Sequence, residues 1–142
     1  MNELQRFLDA QAPVYEEVCA ELRAGCKESH WMWFIFPQLR GLGQSAMAQR
    51  YGIAGRAEAL AYVQHPVLGT RLRECMALLL THKDLSAEDL LGDIDAMKLR
   101  SCATLFATVA PDEPLYAQVL QRFFRDQPDP HTQALLAAPP GR

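Results

Sequence analysis

The residues best suited to chemistry lie in and around one aromatic segment, KESHWMWFIFPQ. Lys27 and His30 precede the aromatic cluster, Gln38 follows it, and both tryptophans of the chain, Trp31 and Trp33, lie inside it. An aromatic wall with a few convergent polar groups is typical of a ligand pocket. A neutral histidine can donate, accept or transfer a proton near neutral pH, so His30 is the candidate acid or base.

The same segment also has a structural interpretation. Aromatic and large aliphatic side chains dominate core packing, so Met32, Phe34 and Ile35 are expected in the core. The flanking polar residues are then ordinary surface groups or partners for an indole N–H. The segment shows neither helical amphipathicity nor strand alternation, and no other segment looks like a partner strand. We therefore predict a short buried helix that ends at Pro37.

A glycine-rich loop, GLGQSA, follows the aromatic segment. It formally matches the G-x-G-x-x-G/A fingerprint of dinucleotide-binding folds, but the chain around it lacks their alternation of strands and helices, so we reject that assignment. Ser45 remains a candidate helix cap, and free amides at a helix start can receive an anion. The simpler interpretation is that Gly41 and Gly43 allow a tight turn.

A second cation is expected near the start of a central helix over residues 93–109. The first turns of this helix are charged, whereas residues 101–110 carry no charge, which is typical of a buried helix. Lys98 and Ser101 are placed on the face opposite its large apolar residues. A cation that enters the core at this edge needs a partner, which is either Asp95 on the same helix or a bound anion.

The elements that position these residues are predicted to be helices. The chain has 20 Ala and 20 Leu against 6 Val and 3 Ile, and Ala and Leu favour helices whereas β-branched residues favour strands. Prolines, glycines and a capping serine mark the helix ends. The predicted helices run from Pro13 to Gly25, from Gly55 to Gln64, from Pro66 through Leu79, from Ser86, from Asp93 to Val109, and from Pro114 through Phe123. We predict an all-α, single multihelical domain over residues 1–142, with a frayed tail at 137–142.

Length, composition and charge exclude several classes of protein. A chain of 142 residues, 49% hydrophobic and with net charge −3, is expected to fold as one soluble domain. No apolar run approaches the ~20 residues that cross a membrane, and no secretion signal opens the chain, so we expect a cytoplasmic protein. The slight acidity argues against a nucleic-acid partner. The cysteines and histidines lack metal-ligand spacing, so we expect reduced thiols, no metal and no cofactor.

These motifs, together with later ones, carry a family resemblance. GCKESHWMWFIFPQLRGLGQS, EALAYVQHPVLGTRL, DAMKLRSCATLF and a late D-x-x-T closely resemble the bacterial and fungal family catalogued as domain of unknown function 1810. The resemblance implies an all-helical single domain with its own fold, and it transfers no activity or catalytic residue. Cys102 replaces the family's usual serine, and Arg125 replaces a common glycine. Some members are labelled calpastatin, but such an inhibitor would be a long disordered chain.

The sequence supports three functional hypotheses. In the first, a pocket binds a flat anionic small molecule such as a nucleotide or phosphorylated metabolite, because cations and indole faces suit it. Its candidate residues are Lys27, His30, Trp31, Trp33, Gln38, Ser45, His65, Arg71, Lys98 and Ser101. In the second, the Trp/Phe-rich segment is partly exposed and binds another protein or a second copy, as a homo-oligomer without catalysis. In the third, the motif only encodes folding. The test is whether the aromatic segment and Lys98 meet in one cleft.

Overall fold

The computed structural model describes residues 3–137, and this part of the chain forms ten helices. They are α1 (Gln5–Gln11), α2 (Tyr15–Ala24), α3 (Met32–Ile35), α4 (Ala46–Tyr51), α5 (Arg56–Gln64), α6 (Leu68–Leu80), α7 (Ala87–Leu91), α8 (Asp93–Val109), α9 (Pro114–Phe124) and α10 (Pro130–Ala137). In the described range, β pairing is limited to one isolated parallel bridge between Leu39 and Ile53. The prediction of an all-α, single multihelical domain is confirmed.

Local sequence signals fix several helix ends. α2 stops at Gly25, whose φ of +76° is a left-handed conformation that a residue without a Cβ adopts freely. Ser86 and Asp89 form a capping box at the start of α7, in which each side chain accepts from the other's backbone N–H. α9 begins at Pro114, where the missing N–H costs no helical hydrogen bond. The boundaries predicted at these positions are confirmed.

The start of α6 differs from its prediction. This helix begins at Leu68 rather than at Pro66. The side chain of His65 caps this start, because its Nδ1 accepts hydrogen bonds from the backbone N–H groups of Val67 and Leu68 at 3.1 and 3.3 Å, and its carbonyl accepts from the N–H of Gly69 at 2.9 Å. Pro66 therefore lies in the capped first turn, and the two boundaries differ only by the one or two residues by which helix ends are assigned differently. The imidazole thus satisfies donors that a helix leaves unpaired at its start.

Helix α10 was not among the predicted helices, and the late D-x-x-T motif explains its start. The carboxylate Oδ2 of Asp129 accepts from the backbone N–H of Thr132 at 2.9 Å and from its hydroxyl at 2.6 Å. The motif is therefore a helix cap. Just before it, Arg125 has a φ of +55°, a conformation that glycine adopts without strain, which gives a physical reason for the family's common glycine at this position.

Helix α8 is the centre of the molecule and packs against α5, α7, α9 and α10. Its middle, residues 101–106, is buried all round, with Cys102 and Phe106 fully inaccessible, so the predicted buried central helix is confirmed. Its first two turns are different. Ile94 and Met97 are 73% and 72% exposed there, although both side chains are large and apolar. The middle of α8 thus belongs to the core and its first two turns to the surface.

The aromatic segment forms the predicted short buried helix, α3, which ends before Pro37. Its large side chains join the core, in agreement with the structural interpretation of Met32, Phe34 and Ile35. After α3, the chain is held by the parallel bridge, in which the N–H of Arg40 donates to the carbonyl of Ile53 at 2.8 Å. This bridge and α4 place the glycine-rich loop beside the exposed end of α8.

Several expectations concern the cysteines, the tail and the membrane. All four cysteines are free thiols, as expected; Cys19, Cys75 and Cys102 are buried, whereas Cys26 is exposed. In the described residues, no helix is both long and apolar enough to cross a membrane. The same part of the chain holds no group of three or more His, Cys, Asp or Glu side chains placed to bind a metal ion. Of the tail predicted to fray, Ala137 ends α10 and residues 138–142 lie outside the described range.

Candidate functional site

The aromatic segment and the central-helix lysine meet directly. The Nζ of Lys98 lies 4.8 Å from the centroid of a Trp33 ring, which is a cation–π contact. The space enclosed at this contact, which Gln38 also lines, is about 10 Å³, less than a ligand needs. Instead, two larger grooves open on either side of it. The residues expected to form one cleft are therefore divided between two.

The first groove, called here the Lys27 groove, has a volume of about 500 Å³. Lys27, His30 and Trp33 line it together with Asp93 and Asp95. The Nζ of Lys27 forms an ion pair of 3.0 Å with the Oδ2 of Asp95 and lies 5.1 Å from a Trp31 ring. One lysine thus faces two carboxylates, so the lining is electronegative when His30 is neutral. This groove is unsuited to the anionic ligand that the sequence indicates.

The second groove, called here the Lys98 groove, has a volume of about 540 Å³. It lies between the glycine-rich loop, the exposed end of α8, and α10, and Gln38 and Ser101 line it with Lys98. Lys98 and Arg100 face one carboxylate, that of Asp129, so the charge balance is opposite to that of the Lys27 groove. Its remaining walls are largely apolar, from Leu42, Ile94, Met97, Ala134 and Leu135.

Most polar groups of the Lys98 groove already have partners. The hydroxyl of Ser101 donates to the Oδ2 of Asp129 at 3.3 Å. The guanidinium of Arg100 donates to the carbonyls of Gln127 and Pro128, at 2.9 Å each. These bonds attach α10 to α8. The side-chain amide of Gln38, by contrast, makes no hydrogen bond within residues 3–137.

Lys98 is the cation that remains most available in this groove. Its Nζ lies 3.4 Å from the Oδ1 of Asp95, a long separation for an ammonium–carboxylate pair, whereas the same carboxylate holds Lys27 at 3.0 Å. The expected partner, Asp95, is therefore present, but it is shared between two lysines. An additional oxygen acceptor can still bind the remaining N–H donors of Lys98.

Trp31 lies in the core rather than in either groove. It is 1% exposed, and its indole N–H donates to the Oε1 of Glu21 at 2.9 Å. The backbone N–H groups of Glu28 and Ser29 donate to the same oxygen at 2.7 and 3.0 Å, and the Ser29 hydroxyl donates to Oε2 at 2.6 Å. Burial raises the pKa of Glu21, but these hydrogen bonds outweigh it and lower the pKa to about 2. The buried carboxylate is thus a structural anchor for the aromatic segment, and Trp31 is corrected from ligand candidate to core residue.

Three further candidates line neither groove. Ser45 caps α4 by accepting from the backbone N–H of Ala48 at 3.1 Å. His65 caps α6, as described above, and Arg71 lies 4.8 Å over the Tyr15 ring while donating to Gln11 at 3.3 Å. The structure does not bring these residues together with Lys98. Because Phe34, Ile35 and Phe36 are also buried, the Trp/Phe-rich segment does not form the exposed interaction surface of the second hypothesis.

A third groove was missed at the sequence level. It has a volume of about 740 Å³ and lies between α2 and α6, lined by Tyr15, Glu16, Cys19, Arg23, Glu74, Ala77, Leu78 and Thr81. A signal for it exists in the sequence, because Tyr15, Cys19 and Arg23 recur at i, i+4 spacing and so share one helix face.

Comparison with known proteins gives the family. The sequence model of the family described as "Protein of unknown function (DUF1810)" matches residues 1–136. The chain is also 48% identical to the conserved hypothetical protein Rv1873 from Mycobacterium tuberculosis, over 96% of this chain and 98% of that one, and the crystal structure of that protein superposes with a TM-score of 0.95. No curated protein gives a significant match. The chain therefore belongs to the DUF1810 family, whose description assigns no function.

Proposed function

We propose that this protein binds a small anionic molecule, of the nucleotide or phosphorylated-metabolite class, in the Lys98 groove. The observation that carries the proposal is the pairing of an available ammonium, Lys98, with an unpaired side-chain amide, Gln38, at the border of an apolar groove. Apolar walls with a few polar groups are the usual composition of small-molecule sites. The groove volume of about 540 Å³ is within the range of such sites.

The two ends of such a ligand have different requirements. A phosphate needs hydrogen-bond donors and positive charge, which Lys98 and the Gln38 amide supply. A base or other apolar part needs surface to cover, which the exposed Ile94, Met97 and Leu135 supply. The proposal is limited to binding and assigns no reaction. His30, the expected acid or base, lines the Lys27 groove on the other side of Trp33.

The proposal is tested by adding AMP, ATP, glucose 6-phosphate or inorganic phosphate to the protein, with adenosine as the uncharged control. Binding is measured by thermal shift and by calorimetric titration. The chain offers a matched pair of variants, because Lys83 is an exposed lysine that lines none of the three grooves. Lys98→Met is expected to weaken binding of a phosphorylated ligand roughly ten- to a hundredfold, the value of a charged hydrogen bond. Lys83→Met is expected to leave it unchanged. Equal loss in both variants, or no phosphorylated ligand that binds, would refute the proposal.

The exposed apolar residues of α8 favour a second candidate, self-association. Ile94 and Met97 are more exposed than any other large apolar residues in the described range, and Leu135 is 43% exposed on the neighbouring α10. Large exposed apolar patches mark interaction surfaces. Sedimentation velocity distinguishes the two candidates: a dimer that becomes a monomer in Ile94→Ser/Met97→Ser supports self-association, and a monomeric protein at every concentration contradicts it.

A further inference from the structure

The groove between α2 and α6, called here the thiol groove, holds a pair of cysteines at its floor. Cys19 on α2 lines the groove and is 9% exposed, whereas Cys75 on α6 is 1% exposed and lies behind it. The two thiols lie on helices that pack together and are close enough for each to shift the pKa of the other, and the Sγ of Cys75 also lies 4.0 Å from the hydroxyl of Tyr15 in the groove wall. They therefore combine the two conditions for thiol exchange, because one sulfur is reachable from solvent and the other is within its reach.

Polar groups from both helices surround this pair. The hydroxyl of Tyr15 donates to the Oε1 of Glu74 at 2.5 Å, and the Sγ of Cys75 lies 4.0 Å from the same hydroxyl. Arg71 lies over the Tyr15 ring at 4.8 Å and so restrains the ring at the groove wall. These contacts fix the geometry of the groove floor.

The charges around Cys19 distinguish it from its partner. The neighbouring Cys75 lowers the pKa of Cys19 against the opposing effect of burial. The Tyr15 hydroxyl and the positive charge of Arg23 also lower it and Glu74 raises it, and the net result is a pKa of about 6. Glu16 lines the same groove and also faces the site. The neighbouring Cys19 and burial raise the pKa of Cys75. The outer sulfur is thus the more acidic thiol of the pair and the inner sulfur the less acidic one.

We propose that Cys19 and Cys75 form an oxidation site at which a hydroperoxide converts the two thiols into a disulfide that links α2 to α6. The Cys19 thiolate attacks the O–O bond of the hydroperoxide, becomes a sulfenic acid and releases hydroxide (from hydrogen peroxide), which takes a proton from solvent. The Cys75 sulfur then attacks the Cys19 sulfur and displaces the hydroxyl group, which leaves as water with the Cys75 proton. Two thiols are oxidised and one peroxide is reduced to two molecules of water.

This site is separate from the Lys98 groove and does not rest on the proposed function. Cys26 provides an internal control in the same chain. It is exposed, it is two residues beyond the end of α2, and it has no cysteine partner among the described residues. If exposure alone governs oxidation, Cys26 reacts first; if the arrangement of the thiol groove governs it, the Cys19–Cys75 pair does.

The experiment treats the full chain with a small excess of hydrogen peroxide and follows intact mass and disulfide-mapped peptides. The wild-type protein and Cys26→Ser are expected to lose two hydrogen atoms and to yield one intramolecular Cys19–Cys75 peptide pair. Cys75→Ser is expected to stop at a sulfenic acid on Cys19 that dimedone traps, and Cys19→Ser to form no intramolecular disulfide. The disulfide map of the wild-type protein does not depend on any variant. The test is therefore valid even if a substitution at a buried cysteine prevents folding.

The pH dependence of alkylation provides a second readout. Iodoacetamide labelling of Cys19 is expected to rise about tenfold between pH 5 and pH 7 and then to level off, whereas an ordinary thiol gains about eightfold between pH 7 and pH 8. Binding of any phosphorylated ligand is expected to be the same in Cys19→Ser as in wild type, so failure of one proposal leaves the other intact. Oxidation of Cys26 without oxidation of Cys19 would overturn the inference.

Discussion

Trp31 and Trp33 are two positions apart in the chain and occupy different environments. Trp31 is fully buried, and its indole N–H is bonded to the buried carboxylate of Glu21. Trp33 is half-buried between the Lys27 and Lys98 grooves, and its N–H has no partner within the described residues. Each ring has a lysine against it, Lys27 on one and Lys98 on the other.

The difference shows that aromatic content and a nearby cation do not by themselves identify a binding site. Both tryptophans satisfy that description. What separates them is the indole N–H, which has a buried carboxylate as acceptor in Trp31 and no acceptor within the described residues in Trp33. A segment that looks uniform in sequence thus contains a fully buried half and a half that borders a groove.

The largest effect expected from this comparison is on stability. Trp31→Ala removes a fully buried indole and one of the donors of Glu21, and we expect a loss of about 3–5 kcal/mol in the free energy of unfolding. Trp33→Ala exposes only a groove wall, and we expect a loss of about 1–2 kcal/mol. Urea denaturation of the two variants measures both values. Similar losses in both would contradict the division of the segment into two environments.

A smaller effect is expected from the carboxylate that anchors the fully buried half. The folded-state pKa of Glu21, about 2, is below the unfolded value of about 4.3. The anchor therefore stabilises the fold fully above about pH 4.3, and this contribution is lost as the pH falls from there toward 2. We expect Glu21→Gln to cost about 2 kcal/mol at pH 7 and to flatten the acid limb of the stability curve, measured by urea denaturation at successive pH values.

Glu16→Gln is the matched control for this substitution. Glu16 is on the same helix as Glu21 but is exposed. We expect Glu16→Gln to change the free energy of unfolding by less than about 0.5 kcal/mol at pH 7 and to leave the decrease of stability at acid pH as it is in the wild type. An acid limb that persists in Glu21→Gln would show that another carboxylate governs the acid sensitivity.

The smallest expected effect concerns Asp95, the carboxylate that the two lysines share. Asp95→Asn removes the negative charge between the two grooves, and we expect a phosphorylated ligand to bind about three- to tenfold more tightly in the Lys98 groove. Stability is expected to fall by about 1 kcal/mol, because Lys27 loses its partner. Calorimetric titration measures the first effect. Asp93→Asn, which lines the Lys27 groove but contacts neither lysine, is expected to change affinity less.

Much of the fold was predictable because its signals are local. Gly25, Ser86 and Pro114 act within one helical turn of their own positions, and each marks the helix end predicted for it. Helix α1 was not predicted, and it has no side-chain cap and no acidic residue in its first turn. The start of α6 lies two residues after the predicted Pro66, and the cap itself was not predicted, because His65 is a residue type outside the usual caps.

The candidate site was less predictable because its contacts connect distant parts of the chain. The Lys98–Asp95 contact is three residues apart on one helix and was expected as one of two alternatives. That Lys27 shares the same carboxylate depends on how the aromatic segment packs on α8, which no local pattern encodes. The same holds for Trp31 and Glu21, and for the two cysteines of the thiol groove, which meet only because α2 packs on α6.

The parallel bridge between Leu39 and Ile53 has a consequence for variation among relatives. It holds the two ends of an excursion, residues 40–52, side by side, and α4 anchors the second half of that excursion through the buried Tyr51. The glycine-rich loop between them carries little of the core. Changes of loop length alter the wall of the Lys98 groove with little cost to the packed helices, so the shape of the groove can diverge while the scaffold stays the same. Gly41, with a φ of +103°, and Gly43, where an added Cβ would lie 2.8 Å from the Ala48 Cβ, are the positions of the loop at which a side chain is strained.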